Sequence, residues 1–307
     1  MTPTIGFVLI THNKPHQTIR LVNTLNLMFD YPRIVCHHDF SKSDLPTEIF
    51  TKNVSFIHPH IQTGWSKFSL VEATFSGIKM MYERPDSPDW FVLLSGADYP
   101  VKPAHAILND LSLSLHDVHV HHEKISYNNY EREWQELCYD RYCAVKFRIP
   151  SINRRSRFFM REISLKNPIV TSLFTPFSKK FHCFSGGQWF SANRKAAQYL
   201  TEFYRKKPRL ASYYRKLDSR SICPDESYFQ TVFCNAPSLK ISQENWRYID
   251  WSTQGLHPKI LSIEDLHEIR ASSAHFGRKF DPDVDSHILD ELDHILGTTG
   301  SPSTIVV

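Results

Sequence analysis

Five consecutive apolar residues, Trp90-Phe91-Val92-Leu93-Leu94, constrain the fold more than any other stretch. A strand with one wet face alternates apolar and polar side chains, so an unbroken run implies a strand covered on both faces, as in parallel sheets. Parallel neighbours need crossovers, usually helical. The preceding sequence supplies them. Ile5–Ile10, Arg33–His38 and the shorter 54–57 read as strands, and Pro15–Met28 has helical spacing. A long amphipathic helix is predicted over Ser66–Tyr82, with Ser66 as its N-cap and Leu70, Ala73, Phe75, Ile78 and Met81 near one face. This βαβα order predicts an α/β fold with a Rossmann-like, mostly parallel central sheet and flanking helices. A chain of 307 residues can bury enough surface for one large domain, and a single domain over 1–307 is expected.

In such sheets, ligands bind beyond the carboxyl ends of the strands. Those ends carry Thr11-His12-Asn13, then Asp39, then Ser95-Gly96-Ala97-Asp98-Tyr99-Pro100, which together outline one crevice. No Walker A pattern and no G-x-G-x-x-G is present, which argues against a P-loop enzyme or a dinucleotide oxidoreductase.

From Tyr127 to Phe181 the pattern loosens and turns basic and aromatic, suggesting an insertion or acceptor-facing loops. Basic residues concentrate between Arg141 and Lys166, including Arg154, Arg155, Arg157 and Arg161 around Phe158 and Phe159. That stretch reads either as a solvated face or as a patch for peripheral membrane contact; no nucleic-acid module accompanies it. Regular structure resumes near Gly186–Phe190, with a helix over Arg194–Tyr204, a strand near Leu239–Ser242 and a helix over Asp285–Leu296. Asp281-Pro282-Asp283-Val284-Asp285 lacks the turn glycine and distal Glu of a calcium loop and reads as a solvated turn. The six cysteines are scattered without a C-x-x-C pair, so reduced thiols and no zinc are expected. The apolar run Ile5–Ile10 is too short to span a bilayer, and a cytoplasmic chain is expected, peripheral on the inner membrane face only under the membrane-patch reading of 141–166.

Cys223-Pro224-Asp225-Glu226-Ser227-Tyr228-Phe229 places two carboxylates after a proline at a helix start. Locally, Glu226 can be a first-turn acid stabilising its own helix, and Asp225 a helix cap. Its company along the chain adds a second reading. Phe7–His12, His37-His38-Asp39, Gly64-Trp65-Ser66 with Ser69–Ala73, Ser95–Pro100, Gly187-Gln188-Trp189-Phe190, Pro224–Phe229 and Arg278-Lys279-Phe280 form an ordered, collinear set. With these blocks the chain resembles the core-2/I-branching glycosyltransferase family, closer to its peptide O-xylosyltransferase branch.

The resemblance implies a GT-A type fold, an inverting mechanism, a UDP-xylose or UDP-N-acetylglucosamine donor and no metal or other cofactor. By motif match it implies Glu226 as catalytic base and Arg278 and Lys279 on the diphosphate. It places Thr11, His12 and Asp39 near uridine, Trp65 near the nucleotide-sugar and Asp98 on the sugar. The N-terminal half would then bind nucleotide, and the C-terminal half would hold the base and a glycan, peptide or lipid-linked acceptor. Gln188, Trp189 and Trp251 become acceptor-side candidates, with a buried core role equally open for each tryptophan. Independently, the position after the Trp90 strand reads Gly96-Ala97-Asp98 rather than the D-x-D of metal-dependent enzymes of that fold. The rival reading is a non-catalytic nucleotide-sugar or glycan-binding protein on the same fold.

Overall fold

The computed structural model describes residues 2–127, 133–152, 158–217, 222–255 and 257–298. The chain begins with β1 (Ile5–Thr11), α1 (Pro15–Phe29), β2 (Arg33–His38), β3 (Val54–Phe56), α2 (Ser69–Met81), β4 (Trp90–Ser95), β5 (Asp98–Pro100), α3 (Ala104–Leu113), β6 (Val118–Val120) and β7 (Glu123–Lys124). It continues through α4 (Glu133–Cys138), a π-turn at Tyr139–Cys143, β8 (Val145–Ile152), β9 (Phe158–Leu165), α5 (Pro168–Thr171), β10 (Phe184–Ser185), β11 (Phe190–Asn193), α6 (Arg194–Lys206) and α7 (Pro208–Leu217). A 3-10 turn at Pro224–Glu226 leads into α8 (Tyr228–Cys234), followed by β12 (Ile241–Ser242), β13 (Arg247–Ile249), α9 (Leu266–Ala271), β14 (Phe276–Arg278) and α10 (His287–Leu296). Among the described residues no helix is long and apolar enough to cross a membrane.

The central sheet has the order β12-β6-β11-β4-β1-β2-β3. Only β11 runs against its neighbours; the other pairs are parallel, with Val8 of β1 between Val35 and Leu93. Side chains alternate along each strand, so the sheet divides its apolar residues between two layers. Val8, Ile10, Val35, Phe91 and Leu93 pack with residues of α2, α6, α7 and α8. Phe7, Leu9, Ile34, Val92 and Leu94 face those of α1, α3 and α10. Burial on both faces is what the apolar run Trp90–Leu94 foretold. A smaller sheet, β13-β14-β5, sets Arg278 directly opposite Asp98.

Three local expectations are corrected. The predicted helix over 66–82 begins at Ser69, because Ser66 adopts a left-handed φ of 62° and its hydroxyl bonds elsewhere. Asp225 caps no helix: α8 has no side-chain cap, and the Asp225 carboxyl is buried. The stretch 127–181 is more regular than its composition suggests, since β8 and β9 pair antiparallel from Val145–Leu165 to Ile152–Phe158. This hairpin is a sheet of its own, so it lacks the apolar runs that mark strands buried on both faces. Arg154, Arg155 and Arg157 lie outside the described residues.

Gly77 lets α2 lie close on β1: a Cβ there would sit 2.5 Å from Cγ1 of Val8, a stiff β-branched side chain in the sheet's centre. Gly77→Ala is expected to destabilise the protein by about 1–3 kcal/mol despite the gain in helix propensity, read as a lower urea midpoint at unchanged m-value.

Candidate active site

At the carboxyl end of β1, the Thr11 carbonyl accepts the Asp39 N–H at 3.0 Å, and the Thr11 hydroxyl lies 2.9 Å from Nδ1 of His38. Asp39 is fully buried. Its Oδ1 accepts from the Ser41 hydroxyl at 2.6 Å, and its Oδ2 from both N–H and hydroxyl of Thr63 at 2.7 Å. Burial alone would raise its pKa, but these donors more than offset it and hold the carboxylate well below the usual range. His12 is exposed beside this carboxylate, between the charges of Lys42 and Lys279.

Across β1, the β4 end carries a denser cluster. Asp98 is buried, accepts from Ser95 N–H and hydroxyl, and lies 3.6 Å from Nη1 of Arg278. The Arg278 guanidinium stacks over Trp189 with its centre 4.1 Å from the ring centroid. Beneath it, buried Arg247 donates to the carbonyls of Leu93 and Phe190 at 3.3 Å and stacks over Phe276. Burial pushes Arg247 down to about 10; Asp98 opposes this and Arg278 adds to it. Arg278 is lowered by burial against the pull of Asp98, and half-buried Lys279 by burial and by the charge of Arg278. One buried carboxylate thus faces two buried guanidiniums and a neighbouring ammonium. This uncompensated positive charge suits an anion such as a diphosphate.

Glu226 lies on the 3-10 turn before α8, and its backbone is held tightly. Its carbonyl accepts from the N–H of Gly186 at 2.8 Å and the hydroxyl of Ser185 at 3.0 Å. Gly186 is obligatory here: a Cβ would lie 2.0 Å from the His121 carbonyl oxygen. The turn's other end is fixed by Cys223, whose N–H donates to Ser66 Oγ at 2.8 Å and whose carbonyl accepts from the Tyr142 hydroxyl at 3.1 Å. Cys223 and Ser66 are both left-handed, at φ 49° and 62°, a conformation that costs about 1–2 kcal/mol per non-glycine residue and that their mutual hydrogen bond helps to hold. The Glu226 carboxylate makes no hydrogen bond among the described residues. Burial raises its pKa, with Arg141 on the π-turn pulling the other way. Adjacent Asp225 has no partner at Oδ1 and is raised to about 7, by burial and then by the charge of Glu226.

These pieces close into a circuit. Asp39 holds Thr63; three residues on, Ser66 holds Cys223; three further, Glu226 holds Gly186. Trp189, again three residues on, supports Arg278; Arg278 faces Asp98; and Asp98 holds Ser95, whose strand partner Ile10 adjoins Thr11. Three residues of extended chain span at most about 10 Å, so the backbone of Glu226 is held near the cationic cluster. Trp65, 62% exposed, lies on the rim between the Asp39 and Glu226 arms. Trp189 is buried under Arg278, and Gln188 is half-buried one residue before it. Trp251 is 54% exposed on the turn after β13, and among the described residues no hydrogen bond or ring contact joins its side chain to the circuit. The Asp281–Asp285 run forms a turn: Asp281 and Asp283 take Lys14, and Asp285 accepts the N–H of Ile263 and His287. Among the described residues no group of three His, Cys, Asp or Glu is placed to hold a metal ion.

Sequence reasoning missed Arg247, Arg141, and the pairing of Ser66 with Cys223. Arg247 had a signal, a lone cation inside the aromatic run Trp246–Trp251. The others had none, because partners 157 residues apart share no local pattern.

The Core-2/I-Branching enzyme family matches residues 6–271, and the chain belongs to that family of glycosyltransferases. Its GT-A type α/β fold, with the mostly parallel sheet described above, is the one expected from the resemblance. Similar curated proteins include beta-glucuronosyltransferase GlcAT14B of Arabidopsis thaliana, 24% identical over 73% of this chain and 48% of its own length. Xylosyltransferase 1 of Canis lupus familiaris is 23% identical over 95% of this chain and 30% of its own length. The chain therefore spans less than half of either relative. Among solved structures, the galactosyltransferase LgtC in complex with donor and acceptor sugar analogs superposes on 98% of the chain and 97% of its own, with 8% identity and a TM-score of 0.40.

Two outcomes follow from this geometry. Ser66→Ala leaves the buried Cys223 N–H unpaired and is expected to cost about 1–3 kcal/mol in chemical denaturation. Asp225 has a folded pKa of about 7 against an ordinary 3.8, so between these values the folded chain keeps a proton that the unfolded chain releases. Its contribution is fully present below the lower value and is lost as pH rises through the upper one. Asp225→Asn is expected to flatten the fall in stability over that window, measured as urea midpoints at a series of pH values.

Proposed function

We propose that the protein is an inverting glycosyltransferase that moves a sugar from a UDP-sugar to an acceptor hydroxyl with β-linkage. The observation that carries this reading is the chain of contacts that links a partly buried carboxylate, without a hydrogen bond among the described residues, to a cationic cluster. In the proposed step, Glu226 takes the proton of the acceptor hydroxyl as its oxygen attacks the anomeric carbon. The bond to UDP breaks on the opposite face. Negative charge then develops on the diphosphate, where Arg278 and Lys279 meet it without requiring a metal. Arg278 offers a planar fork already oriented by Trp189 and Asp98, while Lys279 offers a point charge. The raised pKa of Glu226 brings its basicity closer to neutral pH, which suits a general base.

Thr11, His12 and Asp39 form the proposed uridine end, with Trp65 over the nucleotide-sugar. Asp98 is proposed to meet the donor sugar, its Oδ2 held by Ser95 and its Oδ1 facing Arg278 at 3.6 Å. Xylose and N-acetylglucosamine are the proposed donor sugars. The name of GlcAT14B adds glucuronic acid to the donors worth testing. The acceptor is proposed to be a glycan, peptide or lipid-linked sugar, with Gln188 and Trp251 on its side of the crevice.

Calorimetric titration in excess EDTA with UDP, UDP-xylose, UDP-N-acetylglucosamine and UDP-glucuronic acid tests the diphosphate site and ranks the donors. Metal-free binding is expected, and Arg278→Ala/Lys279→Ala is expected to abolish it. Binding that appears only with manganese overturns the metal-free reading. Glu226→Gln is expected to lower transfer by about 10²–10⁴-fold while donor binding stays within a few-fold of wild type. Retained donor binding without transfer in either form would mark a binding protein instead.

A further inference from the structure

The surface around α5 gathers several exposed large apolar side chains. Within six residues Ile169, Leu173 and Phe174 are 79%, 75% and 55% exposed, and Phe147 and Leu165 at the hairpin base are exposed beside them. Phe174 meets Phe147 edge-on at 6.0 Å, so the α5 segment and the hairpin base form one apolar surface. Local looseness does not explain this exposure. Thr171, Thr175 and Phe177 of the same segment are buried, the Thr175 carbonyl accepts from Arg209 at 3.0 Å, and Phe177 packs edge-on against Tyr213. The segment is pinned from below and holds Ile169, Leu173 and Phe174 outward. A contiguous exposed apolar patch of this kind marks an interaction site.

Charge selects the partner. The stretch 141–166 holds eight Lys or Arg and one Glu, a net +7 against +4 for the whole chain. Lys146 pairs with Asp140 and Glu162, and Lys166 with Glu136 and Asp140, so the excess rests on the arginines. Lys179 and Lys180 are exposed just beyond the apolar knuckle. A second copy seated here would set like charge against like. A soluble polyanion would match the charge but has no use for outward Ile, Leu and Phe. Basic residues flanking exposed large apolar side chains fit an interface with anionic headgroups over hydrocarbon.

We propose that the α5 knuckle and the base of the β8–β9 hairpin seat the protein on an anionic lipid bilayer, with Leu173 and Phe174 entering the headgroup boundary. The seat is coupled to the crevice. Tyr139 of the π-turn donates to the Lys166 carbonyl at 2.8 Å, and Arg141 of the same turn lies within the field of Glu226. Seating therefore presents the acceptor side of the crevice to the membrane and selects the lipid-linked class of acceptor. That last clause alone rests on the proposed function; the docking rests on the surface.

Vesicle flotation of the full chain, without nucleotide or acceptor, tests the docking apart from the chemistry. The vesicles are phosphatidylcholine alone, or phosphatidylcholine with about 30 mol % phosphatidylglycerol. Flotation with the anionic vesicles only is expected, weakened by salt. Leu173→Asp/Phe174→Asp is expected to reduce bound protein at least tenfold and Lys179→Glu/Lys180→Glu several-fold, with circular dichroism and UDP binding unchanged. Equal flotation on phosphatidylcholine alone, no flotation on either vesicle, or indifference to the Asp double variant each overturns the proposal. So does wild-type self-association in sedimentation that the Asp double variant abolishes, or heparin binding that it leaves intact while flotation is absent. Transfer that fails in Glu226→Gln while flotation persists bears on the base and leaves the seat standing.

Discussion

The site depends on one buried carboxylate facing two buried guanidiniums. Asp98 ties the end of β4 to β14, aligns Arg278 against Trp189, and partly offsets the cost of burying Arg247. The balance leaves positive charge uncompensated in a place where water is largely excluded. Interior cations of this kind are costly unless paired, and in the proposed reaction a diphosphate would supply that pairing. The cluster would then be set by folding before the ligand arrives, with little reorganisation left for the reacting state.

Glu226 is positioned by different means. No ion pair orients its carboxylate among the described residues; its backbone is fixed instead, by Ser185 and Gly186 on one side and by the Ser66–Cys223 lock on the other. The main chain is thus held while the carboxylate accepts no hydrogen bond among the described residues, an arrangement that suits the base role proposed for it. The same burial that raises its pKa raises that of Asp225 further, and the two neighbours resist ionising together. Proton occupancy at this turn is therefore a property of the pair.

Much of the fold was legible because it obeys short-range rules. The apolar run Trp90–Leu94, the strand at Ile5 and the helix after Pro15 follow from side-chain period and burial on both sheet faces, which a sequence displays directly. The hairpin at 145–165 was not legible, since a two-stranded sheet outside the core needs no apolar run. Ser66 was misread for a related reason: serine before a helix signals a cap, but a hydroxyl bonds whichever donor the tertiary structure brings nearest.

By itself the sequence determined the α/β class and the collinear blocks that identify the family, both encoded in local patterns and their order. Only the tertiary structure decided which groups meet. It placed Trp189 beneath Arg278, set Asp98 facing that same guanidinium, joined residues 66 and 223, and turned Ile169, Leu173 and Phe174 outward beside the β8–β9 hairpin. The reason is physical: hydrogen bonds, ion pairs and burial depend on distances in space, and chain order fixes those distances only within an element.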